Sequence, residues 1–118
     1  MDVLYLEDEP NDATLVIRCL NALKHNPVIA TTLDEARSAV MQQPDLIMID
    51  IVLGHSRAGF QFARELRAQG YQQPMIAVTG LVTTQDLEEC QEAGFNHILS
   101  KPFTIPQLVD VIHMYTQT

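Results

Sequence analysis

Residues 44–53 read Pro44-Asp45-Leu46-Ile47-Met48-Ile49-Asp50-Ile51-Val52-Leu53, an apolar run interrupted by one acid. Four consecutive large apolar residues, with no polar alternation, mark a strand covered on both faces, and such strands belong to parallel sheets. The strand stops at Asp50, so a carboxylate sits at its carboxyl end. Four further short runs flank it: Val3 to Leu6, Val28 to Thr31, Met75 to Val78 and His97 to Leu99.

Between the runs lie segments with helical spacing. The first is expected from about Asn11 to Lys24, with Val16, Leu20 and Leu23 on one face. A capping box, Thr32-x-x-Glu35, opens the second, which carries Ala36, Ala39 and Val40. The third runs from about Gly59 to Gln69, buries Phe62, Ala63 and Leu66, and stops at Gly70. The fourth starts near Thr83 or Thr84, uses Leu87 and Cys90, and stops at Gly94, while the fifth follows Thr104-x-x-Gln107 with Leu108, Val111, Ile112 and Tyr115. Strict β-α alternation with short connections gives a doubly wound α/β fold, a five-stranded parallel sheet with helices on both faces. Met41, Met48, Met75 and Met114 are read as packing residues.

Composition narrows the function. At 118 residues and 47% hydrophobic content the chain suits one domain, with no need of a disulfide or metal to fold. Cys19 and Cys90 form no C-x-x-C pair and read as reduced, partly buried side chains. No signal peptide and no apolar stretch of membrane-spanning length is visible, which points to the cytoplasm and away from a membrane. A net charge of −8 with scattered Lys and Arg offers no basic stripe, so direct nucleic-acid binding is not expected.

In an open parallel sheet, ligands sit at the carboxyl ends of the strands. Glu7, Asp8 and Glu9 follow the first strand, Asp50 ends the third, Thr79-Gly80 ends the fourth and Lys101-Pro102 follows the fifth. The topology thus predicts that Glu7, Asp8, Asp50, Thr79 and Lys101 converge. Clustered carboxylates repel unless cations compensate. Lys101 supplies one charge, and Mg2+ would suit Asp8, Asp50, a carbonyl just past Asp50 and, through water, Glu7. A carboxylate such as Asp50 can accept a phosphoryl group as an aspartyl-phosphate, with Lys101 and the cation neutralising its oxygens and Thr79 bonding one of them. Taken singly, Asp50 reads as a turn or cap residue, Glu7 to Glu9 as a solvated loop and Lys101 as a surface lysine. The combination, in order, carries the reading.

These motifs resemble the receiver domains of two-component response regulators over the whole chain, residues 1–118: "LYLEDEPND" (4–12), "PDLIMIDIVL" (44–53), "MIAVTG" (75–80) and "LSKPF" (99–103). The resemblance implies a flavodoxin-like (βα)5 fold with strand order 2-1-3-4-5, as in the chemotaxis regulator. It implies that Asp50 is phosphorylated, that Glu7, Asp8, Asp50 and the Val52 carbonyl hold Mg2+, that Thr79 moves on activation and that Lys101 bonds the phosphoryl group through a loop with a cis Lys101–Pro102 bond. Its implied donors are a histidine kinase or a phosphotransfer protein, with docking near Val16 and Phe103. The implied output is an unidentified downstream protein bound at the face of the fourth helix, fifth strand and fifth helix. On this reading the chain is not an enzyme, beyond catalysing its own phosphorylation and dephosphorylation.

Three departures stand out. Glu7 replaces the commoner aspartate, the loop "LGHSRAG" (53–59) is longer and lacks a proline, and Ile98 occupies the position of the usual switch aromatic. His97 next door points to the opposite face. Apolar Val52 and Leu81 flank the site where polar groups often position water, which implies slow loss of the phosphoryl group. His55 borders Asp50 and is a candidate influence on the site, whereas His25, His97 and His113 lack metal-ligand spacing.

Three other readings remain open. A phosphorylation-independent interaction module on the same fold would accommodate Ile98. A dehalogenase-type phosphohydrolase would place an acid where Val52 stands, and a flavodoxin-like nucleotide binder would need glycines after the first strand. The sequence stops close to the expected end of the fifth helix, compatible with a stand-alone regulator or with a piece of a longer regulator or hybrid kinase.

Overall fold

The computed structural model describes residues 1–53, 56–80 and 83–116. Five elements pairs follow one another: β1 (Asp2–Leu6), α1 (Pro10–Ala22), β2 (Asn26–Ala30), α2 (Leu33–Val40), β3 (Leu46–Asp50), α3 (Ala58–Ala68), β4 (Met75–Thr79), α4 (Thr84–Ala93), β5 (His97–Ser100) and α5 (Ile105–Thr116). Among the described residues, these strands pair in parallel, in the order β2-β1-β3-β4-β5. The doubly wound fold expected from the sequence is the one observed.

Each central strand contributes to two cores because alternate side chains leave opposite faces. Leu4, Leu6, Ile47, Ile49, Met75 and Ala77 pack against Ala36 of α2, Phe62 and Leu66 of α3, and Cys90 and Ala93 of α4. Val3, Tyr5, Leu46, Met48, Ile76 and Val78 pack against Val16 and Leu20 of α1 and Leu108, Val111 and Ile112 of α5. Both faces of β3 are therefore dry, as its unbroken apolar run requires.

Element ends follow local chemistry. α1 begins one residue earlier than expected, because Pro10 has its φ set for the first helical position and Glu9 caps it by accepting from the Asn11 N–H. Thr32 caps α2 by accepting from the Glu35 N–H, and the Glu35 carboxylate accepts from the Thr31 N–H and hydroxyl. Thr104 and Gln107 exchange both bonds at the start of α5. At α4 the full box is Thr83 with Asp86, a pairing the sequence reading did not pick out. Gly94 ends α4 in the left-handed region at φ +99°. β2 starts at Asn26, earlier than expected, and includes Pro27, which an edge strand tolerates because its outer N–H groups need no partner.

Several expectations about packing are corrected. Leu87 is 43% exposed. The cap at Thr83 sets the buried stripe of α4 at Asp86, Cys90 and Ala93, and Leu87 lies about 100° further round. Met48 and Met75 are buried as expected, but Met41 and Met114 lie on the surface. Val16 is fully buried under α1, so it belongs to the core and not to a docking surface; Leu15, one position before it, lines a cleft with Phe103. Cys19 and Cys90 are buried and unpaired. Among the described residues, no helix is long and apolar enough to cross a membrane.

One backbone approach connects fold to site. Gly59, in the first turn of α3, packs so closely on β3 that a Cβ there would lie 2.4 Å from the Asp50 carbonyl oxygen and 2.6 Å from the Ile51 Cα. Its N–H donates to the Ile51 carbonyl at 3.1 Å. Gly59→Ala should lower stability by about 1–3 kcal/mol through overpacking, although alanine is the better helix former. Denaturant unfolding would measure it, and a variant as stable as wild type would contradict this packing account.

Candidate functional site

The parallel register brings the carboxyl ends of β1, β3 and β4 together, and the chain adds the residues that follow them. Asp50 ends β3 beside β4, Glu7 follows β1, and the Lys101 N–H donates to the Thr79 carbonyl at 2.8 Å, tying the β5–α5 loop to β4. The Lys101–Pro102 bond is cis, as the resemblance implied.

The Lys101 ammonium occupies the centre. It donates to Asp50 Oδ2 at 2.7 Å, Glu7 Oε2 at 2.8 Å and Asp12 Oδ2 at 3.1 Å. Glu7 is almost completely buried and Asp50 is 5% exposed. Asp50 Oδ1 accepts the Val52 N–H at 3.0 Å, which curls the chain after β3 back over the carboxylate. Glu7 is satisfied at both oxygens: Oε1 accepts the Glu9 N–H at 3.0 Å, and Oε2 also accepts the Tyr5 hydroxyl at 2.9 Å. Asp8 stands at the solvent side, and Glu7, Asp8 and Asp50 can each turn one oxygen to within 4.8 Å of the others. Thr79 is buried at the end of β4.

So many acids in so little water cannot all be charged at ease. Burial, followed by the neighbouring Glu7, pushes the Asp50 carboxyl up to about 7, with Lys101 pulling the other way. Burial also works to raise Glu7, but the donors aimed at it, Lys101 first, hold it below the usual carboxylate range. For Lys101 burial disfavours the charge, yet the three carboxylates outweigh it and raise its pKa. Tyr5 is pushed far up by burial and by Glu7, so it remains a neutral donor.

The donor set matches a hard divalent cation. Among the described residues the grouped ligand atoms are all carboxylate oxygens, and a second positive charge would relieve the repulsion that adds to burial in raising Asp50. Glu7, almost wholly buried and accepting from Tyr5, Glu9 and Lys101, suits contact through water better than direct ligation.

The residues that the sequence placed at strand ends do gather: Glu7, Asp8, Asp50 and Lys101 form one cluster, with Thr79 at the adjoining end of β4. Tyr5 and Asp12 were not singled out. Tyr5 was findable, because residues 5 and 7 share a face in an extended chain. Asp12 lies in the first turn of α1, and its reach to Lys101 depends on how α1 enters. Ile98 packs into the α2–α3–α4 core, while His97 lies on the opposite face with its ring edge against Tyr115. His55 and Leu81, both expected to border the site, lie outside the described residues.

Known proteins share the family pattern and the fold of this chain. The model of the response regulator receiver domain family matches residues 3–113. A probable C4-dicarboxylate response regulator, DctR of Halalkalibacterium halodurans, is 28% identical over 118 residues, covering 98% of this chain and 51% of its own, so the chain spans about half of that relative. A receiver domain of a sensor histidine kinase from Pseudomonas aeruginosa, solved with magnesium coordinated in its active-site cleft, is 30% identical with a TM-score of 0.85, covering 99% of this chain and 98% of that one. The BeF3-activated N-terminal receiver domain of RstA from Klebsiella pneumoniae superposes with a TM-score of 0.88 at 24% identity, over 100% of both chains.

The raised Asp50 carboxyl has a consequence for stability. In the folded chain it keeps its proton to about 7, whereas unfolded it loses it near its ordinary value of 3.8. Folding therefore takes up a proton between those values, and this carboxyl's favourable contribution, complete below the lower value, is lost as pH rises through the upper one. Asp50→Asn does not titrate. Measured by denaturant unfolding without divalent cations, its stability relative to wild type should increase by about 2–3 kcal/mol between pH 5 and pH 8. A difference independent of pH would contradict the electrostatic description.

Proposed function

The chain belongs to the response regulator receiver domain family, and from that premise we propose that it is a phosphoacceptor switch in which Asp50 takes a phosphoryl group from a phosphohistidine. The observation that carries this is the buried Asp50 carboxylate held 2.7 Å from the Lys101 ammonium, beside the oxygen cluster of Glu7 and Asp8.

The step balances simply. An Asp50 oxygen attacks phosphorus, the P–N bond to the donor imidazole breaks, and its electron pair returns to the ring nitrogen. Lys101, already placed, follows the charge from the carboxylate to a phosphoryl oxygen. The Thr79 hydroxyl, at the end of the neighbouring strand, bonds a second oxygen. Asp8, Asp50 and the Val52 carbonyl would hold Mg2+, with Glu7 through water, and the ion would neutralise charge on the transferring group. The donor is a histidine kinase or a phosphotransfer protein, and the catalysis is limited to the domain's own phosphorylation and dephosphorylation.

All 118 residues act as a single receiver domain in this proposal, working in the reducing cytoplasm where Cys19 and Cys90 stay as thiols. Phosphorylation shifts the population of states at the α4–β5–α5 face towards one that binds a downstream protein. A second reading, a module that binds partners without phosphorylation, is favoured only by Ile98, an aliphatic side chain packed into the core where a mobile aromatic would otherwise couple site to surface.

With magnesium present, acetyl phosphate should add one phosphoryl group to wild type and none to Asp50→Asn, read by intact mass. Lys101→Ala should slow labelling by at least about tenfold, since a charge-assisted hydrogen bond to the transferring group is lost. Equal labelling of wild type and Asp50→Asn would remove Asp50 from its role.

A further inference from the structure

We infer that Asp12 is a positioning residue for Lys101: it holds the ammonium in place when its other two carboxylate partners are drawn into phosphoryl chemistry. The inference deepens the phosphoacceptor reading and rests on it for its functional meaning.

An ammonium has three N–H donors and no acceptor. Here each has a carboxylate, on Asp50, Glu7 and Asp12. Two of these belong to the oxygen cluster suited to a cation, and one of the two is also the nucleophile. Once a cation and a phosphoryl group engage Glu7 and Asp50, the attraction they exert on Lys101 is weakened or redirected. Asp12 stands apart from that cluster. It projects from the first turn of α1, an element fixed by the buried Val16, Cys19 and Leu20, and a carboxylate is favoured at that end of a helix.

The geometry also gives Asp12 a direction to act in. Lys101 is an exposed-loop residue whose side chain is only 25% exposed, and its flexible stem carries substantial rotamer freedom. Glu7 and Asp50 hold its tip from the strand side, and Asp12 holds it from the helix side. Among the described residues, loss of Asp12 leaves the ammonium with Asp50, which becomes the acyl phosphate, and Glu7, which a cation would engage through water. Asparagine at the same position keeps an acceptor oxygen and loses only the charge.

The test follows the Lys101 ammonium directly, by NMR of protein labelled with 15N at lysine side chains, without divalent cation and with saturating Mg2+. Lys101→Arg assigns the signal. With Mg2+, Asp12→Ala should speed exchange of the Lys101 ammonium hydrogens by at least about fivefold, and Asp12→Asn should stay within about twofold of wild type, since it retains the acceptor. Acetyl phosphate labelling of Asp12→Ala at saturating Mg2+ should slow by about three- to tenfold, with the half-saturating Mg2+ concentration changed by less than about twofold. In a Lys101→Ala background the Asp12→Ala change should have no further effect on labelling, since the two act through one contact.

Unchanged ammonium exchange in Asp12→Ala overturns the inference, as does an equal loss of labelling in both backgrounds. The two claims fail separately. If wild type takes no phosphoryl group on Asp50 while the ammonium still responds to Asp12→Ala, the phosphoacceptor reading falls and the positioning role stands.

Discussion

One cation surrounded by carboxylates governs this molecule. The Lys101 ammonium bridges acids that are 94, 89 and 51 residues away along the chain, all within 3.1 Å. Without it, Glu7 and Asp50 would face each other in a site nearly closed to water, an arrangement that strongly disfavours charge. The fold exists in a form that makes this contact possible. Parallel strands put all their carboxyl ends on one edge, and the order β2-β1-β3-β4-β5 sets the β1 and β3 ends side by side with β4 adjoining.

The compensation is incomplete. One lysine neutralises one charge, while three carboxylates touch it and a further acid, Asp8, stands next to the cluster. Burial first, and then this imbalance through Glu7, raises the Asp50 carboxyl. In the proposed chemistry, an added cation and, with it, an added anion would offset the charge that Lys101 leaves unbalanced. The tension that costs stability in the isolated chain is the source of its proposed chemistry. The protein limits the tension by other means: Tyr5, in the dry core, donates to Glu7, and the backbone N–H groups of Glu9 and Val52 each bond a carboxylate. The longer arm of Glu7 is thus accommodated by dedicated donors.

The features legible in the sequence were those that depend on local pattern and on topology. The unbroken run at Leu46–Ile49 gave β3, turn chemistry at Gly94 gave a helix end, and strand ends named Glu7, Asp8, Asp50, Thr79 and Lys101. What escaped depends on rotation about a helix axis or on side-chain reach. The helical spacing puts Val16 correctly on the buried face of α1, whereas Leu87 falls on the wrong surface because one residue of offset turns a helical side chain by about 100°. In the apolar run of β1, Tyr5 passes for another core residue, although its hydroxyl needs a buried acceptor and Glu7 is two residues on. Asp12 could not be connected to Lys101 before the entry of α1 was known.

A crystal structure of the chain with magnesium and beryllofluoride examines the central claim most directly. The fluoride-bearing group should sit on an Asp50 side-chain oxygen, with the Lys101 ammonium in hydrogen-bond contact with a fluorine and the cation held between Asp8 and Asp50. Beryllofluoride bound elsewhere, or a Lys101 side chain turned to solvent away from Asp50 in an otherwise intact fold, would contradict it.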